Sequence, residues 1–146
     1  MIVYFDTSAL VKRYIEEAGA PEVKTLFETE SAILGSVIFT QVEMAAALQK
    51  AIQLGNASES LLSEIWQDFL EDWKSFTRIQ VSSIMVEKAS QFSFAFKLRG
   101  TDSLHLAAAW LWQEKLALPV TLASFDRALW LAGRQAGVQV WPEGLL

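Results

Sequence analysis

Apolar and polar residues follow two rhythms along this chain: short apolar runs, and longer stretches in which apolar side chains return every third or fourth position. Ile2-Val3-Tyr4-Phe5 is β-branched and aromatic and ends at Asp6-Thr7-Ser8, which predicts a strand followed by a helix. Ala32 to Phe39 reads as a second buried strand containing Gly35, and Arg78 to Ser82, Pro119 to Ala123 and Val138 to Trp141 as three more. Between them, Pro21 falls in the first turn of a helix running to about Glu30, and Thr40 to Leu54 forms a helix closed by Gly55-Asn56. Leu62, Trp66, Phe69, Trp73 and Phe76 recur at helical spacing within Ser60 to Phe76, as do Met85, Ala89, Phe92 and Phe96 from Ser83 up to Arg99-Gly100.

A further helix opens at Thr101-Asp102, and its segment Leu104 to Trp112 is apolar on almost every side, so it must be covered on most sides. Asp126 to Gln135, stopped by Gly137, is the last helix. The alternation predicts an α/β fold, a parallel, doubly wound sheet of about five strands with helices on both faces. No repeat, low-complexity tract or Pro-rich linker divides the chain, so residues 1–146 read as one domain.

With 52% apolar and 20% charged residues the chain can build a sizeable core. Its longest apolar stretch is far short of the roughly 20 residues of a membrane span, and Met1 to Phe5 lacks the features of a signal peptide. The absence of cysteine removes disulfides and thiolate metal sites and makes the cytoplasm the expected location. A net charge of −5 argues against a broad basic surface for nucleic acid.

Candidate chemistry lies in four acids. In an open α/β sheet, ligands bind beyond the carboxyl ends of the strands. Asp6 directly follows the first strand, Glu43 lies in the first turn after the second, Asp102 opens the central helix, and Asp126 closely follows the fourth strand. Each has an ordinary reading as a helix cap. For Glu43 that reading is specific, because Thr40-Gln41-Val42-Glu43 matches a capping box. Taken together, four crowded carboxylates repel one another unless a cation or shared protons offset the charge. Oxygen-only ligands select a hard ion such as Mg²⁺ or Mn²⁺, which activates water and offsets charge during attack on a phosphodiester.

The ordered set Asp6-Thr7-Ser8-Ala9-Leu10, Thr101-Asp102-Ser103-Leu104-His105-Leu106-Ala107 after Arg99-Gly100, and Ser124-Phe125-Asp126-Arg127 resembles the PIN-domain family, and within it the VapC-type toxins. The resemblance implies a parallel sheet wrapped by helices, metal-dependent endoribonuclease activity on RNA, a homodimer and a small antitoxin partner. It carries the four acids over to Asp6, Glu43, Asp102 and Asp126, with Ser8 and Ser124 as neighbouring polar positions. Asp6 and Asp102 are expected as principal metal ligands and Asp126 as a further one. Glu43 is left as ligand, water-orienting group or cap. Lys12, Arg13, Arg99 and Arg127 flank these segments and are candidate phosphate contacts.

His105 lies one turn after Asp102 and could touch it, although a lone histidine in an apolar helix is more often a satisfied core residue. The tryptophans and phenylalanines invite a base-stacking role, yet their helical spacing points first to the core or a subunit interface. The alternative function is a catalytically silent PIN-like binding module. A phosphatase or receiver domain ranks last, because Ser8 stands where such phosphatases carry a second aspartate.

Overall fold

The computed structural model describes residues 1–145. Five parallel strands form one sheet in the order β3-β2-β1-β4-β5, where β1 is Ile2–Phe5, β2 Ile33–Val37, β3 Thr77–Ile79, β4 Thr121–Ala123 and β5 Gln139–Trp141. The helices are α1 Thr7–Leu10, α2 Ala20–Phe27, α3 Thr40–Gln53, α4 Leu62–Trp73, α5 Ser83–Phe96, α6 Gly100–Leu116 and α7 Arg127–Gln135.

The chain runs outward from β1 to β3, then returns across the sheet and resumes beside β1 at β4. Parallel crossovers keep one hand, so this reversal sends the later helices to the opposite face. The packing follows: Val3 and Phe5 meet Leu10, Val23, Met44, Phe69 and Trp73 from α1–α4, while Ile2 and Tyr4 meet Met85, Phe92, Leu106 and Leu129 from α5–α7. All four β1 side chains are buried, as expected of a central strand covered on both faces. The doubly wound α/β expectation is met.

Several boundaries differ from those read off the sequence. The first helix is a single turn that tightens into a 3₁₀ segment at Val11–Arg13, and α2 stops at Phe27 rather than near Glu30. A 3₁₀ turn at Glu59–Leu61 precedes α4, and Phe76 lies beyond that helix yet is buried against it. The third strand ends at Ile79, because Ser82 has turned away to cap α5 by accepting the Met85 amide. Gly35 has a packing reason: a Cβ there would lie 2.6 Å from Cη2 of Trp112 on α6. The core claims the aromatic residues Phe69, Trp73 and Phe92, which removes them from any base-stacking role.

Candidate active site

The sheet's switch point, where neighbouring strands β1 and β4 send their chains to opposite faces, is the expected crevice of such a fold. Asp6 directly follows β1 there, and Ser124 and Asp126 follow β4. Two serines knit these turns together. The Ser8 hydroxyl donates to Asp6 at 2.7 Å from Oδ1 and accepts the Phe125 amide at 2.9 Å. The Ser124 hydroxyl donates to Asp6 Oδ2 at 2.6 Å and accepts the Asp126 amide at 3.0 Å. Asp6 also caps α1 by accepting the Ala9 amide, so its carboxylate is fixed from three sides. Burial pushes the Asp6 carboxyl above its ordinary range against the lowering effect of His105 and of these donors.

Asp126 caps α7 through the Leu129 amide. Asp102 lies in the first turn of α6, whose cap residue is Arg99. The largely exposed Arg99 guanidinium stands between these acids, 3.5 Å from Asp102 and 3.7 Å from Asp126. Burial, then the neighbouring charge of Asp126, raises the Asp102 carboxyl despite Arg99.

The capping box expected at Thr40 and Glu43 does not form. Thr40 already lies inside the helix behind Phe39, and its hydroxyl is 2.7 Å from that of Ser36. Glu43 instead reaches across the sheet end, accepting from Thr7 Oγ1 at 2.9 Å and lying 2.5 Å from His105 Nε2. Burial works to raise the Glu43 carboxyl, but the His105 bond and charge and the Thr7 bond outweigh it and hold the group below its usual range. His105 is buried, as the ordinary reading requires, but its hydrogen bond goes to Glu43 rather than Asp102. The sequence reading missed Thr7 and Tyr4 as partners of this group. The only local signals were a hydroxyl inside Asp-Thr-Ser and a lone imidazole in an apolar helix.

The four acids therefore surround one rim, but among the described residues no three carboxylate or imidazole groups stand ready to grip a single ion. Of the candidate phosphate contacts, Arg99 is at the rim and Arg127 is exposed beside it. Lys12 is paired with Glu17 and lies over the Phe125 ring. Arg13 stacks on Phe27 and lines a separate hollow with Tyr14, Asp68 and Asp72.

No protein-family model matches the sequence. Over its whole length the chain is similar to ribonuclease VapC45 of Mycobacterium tuberculosis, with 31% identity across 99% of this chain and 97% of that protein. Its fold is similar to FitAcB from Neisseria gonorrhoeae, with a TM-score of 0.65, 16% identity and 97% of both chains covered. It also resembles a toxin-antitoxin complex from Klebsiella pneumoniae, with a TM-score of 0.58, 18% identity, and 85% of this chain and 88% of that one covered. End-to-end kinship at this level, on a parallel sheet shared with these structures, decides the assignment: the chain belongs to the PIN-domain ribonuclease family, among its VapC-type toxins.

Proposed function

We propose that the chain is a metal-dependent endoribonuclease, the toxin of a toxin–antitoxin pair, with Asp6, Glu43, Asp102 and Asp126 as its active site. The observation that carries this reading is the serine-knit junction of the β1 and β4 turns, which brings Asp6 and Asp126 together at the switch point. The names of its relatives support both the RNA substrate and the antitoxin partner.

The donor chemistry fits a hard divalent cation. All four groups are oxygen ligands, Asp102 and Asp126 repel one another, and the positive group between them is a largely exposed guanidinium. Magnesium commonly uses one or two carboxylates and keeps several waters, so a closed protein cage is not required. Asp6, Asp102 and Asp126 would hold the ion, which supplies water activation and charge neutralisation at the phosphodiester. Ser8 and Ser124 hold Asp6 in place, Glu43 accepts a proton from or orients the attacking water, and Arg99 and Arg127 meet the RNA backbone.

Antitoxin-free protein incubated with structured RNA is expected to cut it with Mg²⁺ or Mn²⁺ and to stop when the ion is chelated. Asp6→Asn should lower cleavage by on the order of 100-fold or more with the fold retained. Undiminished cleavage by Asp6→Asn would show that the site has been misplaced.

A further inference from the structure

A line of buried polar groups runs from the sheet to the rim, and the reaction as described uses only its last member. The Val37 amide donates to Tyr4 Oη at 3.3 Å. Tyr4 Oη lies 2.8 Å from His105 Nδ1, and His105 Nε2 lies 2.5 Å from Glu43 Oε1. Tyr4 is fully buried and His105 is 3% exposed.

The proton positions follow from the two ends. A carboxylate only accepts, so Nε2 carries a hydrogen and donates it to Glu43. Tyr4 Oη accepts from Val37, and Nδ1 is its only other hydrogen-bond partner among the described residues, so the buried phenol gives its own hydrogen to Nδ1. Each hydrogen bond in the line then has a donor and an acceptor, with a hydrogen on Nε2 and with Nδ1 accepting. A histidine that served the core alone could give that hydrogen to a carbonyl within its own layer. This one gives it to a half-buried carboxylate on the opposite helical layer, at the mouth of the crevice.

We propose that His105, with its tautomer set by Tyr4, is a positioning residue that clamps Oε1 of Glu43 and presents Oε2 to the attacking water. Oε1 accepts from both Thr7 and His105, and Oε2 has no hydrogen-bond partner among the described residues. The clamp also explains why Glu43 does not fold back to cap its own helix. The proposal rests on the ribonuclease reading given above.

His105 is the sole histidine, so its ring signals need no assignment. Nitrogen NMR on the ¹⁵N-labelled parent protein at neutral pH is expected to show a hydrogen on Nε2, slow to exchange, and a bare Nδ1. That Nε2 proton should shift in Glu43→Gln. A hydrogen found on Nδ1 overturns the proposal, whatever the variants do. In metal-loaded turnover, His105→Leu should lose roughly 10- to 100-fold in kcat with KM nearly unchanged. His105→Gln, which keeps a donor near the Nε2 position, should recover most of that loss. A folded His105→Leu protein with parental kcat, or a Gln variant as impaired as the Leu one, overturns the positioning role. If the parent itself fails to cut RNA, the ribonuclease reading falls, whereas an active parent with an indifferent His105→Leu overturns only the clamp.

Discussion

Asp6 combines a cap, a buried charge and the meeting point of two serines, and these roles pull its stability in opposite directions. Its donors favour the ionised form, yet burial outweighs them and raises its carboxyl. Asn keeps the shape and the cap acceptor while removing the buried charge, so Asp6→Asn should be more stable than the parent at neutral pH even as it loses activity. The expected rise in melting temperature is roughly 2–4 °C for each kcal/mol recovered, read by thermal denaturation without divalent ions. A lower melting temperature would mean that the Ser8 and Ser124 bonds need the anion. Asp6, Ser8 and Ser124 were legible in the sequence because each sits within three residues of a readable strand end. The partner of His105 was not, since Asp102 is a near neighbour on the helix while Glu43 is 62 positions away. Local spacing ranks the near acid first, and only the packing of α3 over the sheet end reverses that order.

Among the elements, β2 and α6 meet at Gly35 and Trp112. A methyl added at Gly35 would stand 2.6 Å from the indole and 3.0 Å from the Thr77 carbonyl on the neighbouring strand. Since the backbone side cannot yield, Gly35→Ala should destabilise by about 1–3 kcal/mol, measured by urea denaturation. Adding Trp112→Phe should return part of that loss, and strictly additive effects would disprove the contact. The elements themselves were largely legible, because strands buried on both faces read as apolar runs and helices as periodic ones. Their ends were not. Ser82 looks like strand sequence until its hydroxyl caps α5, and Phe76 keeps the helical rhythm of α4 after the helix has stopped. The order β3-β2-β1-β4-β5 is likewise invisible to periodicity, since the direction of each crossover is chosen by packing between distant segments.

At the scale of the whole molecule, the acids of the rim give stability a pH dependence with two signs. Asp6 and Asp102 have carboxyls raised above the ordinary 3.8, so their ionised forms weaken the fold at neutral pH and their protonation relieves it as the pH falls. Glu43 is lowered from 4.5, so its contribution is intact above that value and is lost as the pH falls through its own range. In chelator, the denaturation midpoint should therefore rise from neutral pH towards 4.5 and turn over below it. Saturating Mn²⁺ at neutral pH should flatten the rise, because the ion offsets the same charge. A midpoint that falls steadily from neutral pH would contradict the assigned directions. The bond from Glu43 to His105 is also a mechanical tie, joining the helical layer before the sheet to the layer behind it at the open end of the strands. Its length reports the gap between the layers, so a force that levers α3 away from α6 would slacken Glu43 while Asp6, anchored in the turns of β1 and β4, stayed in place.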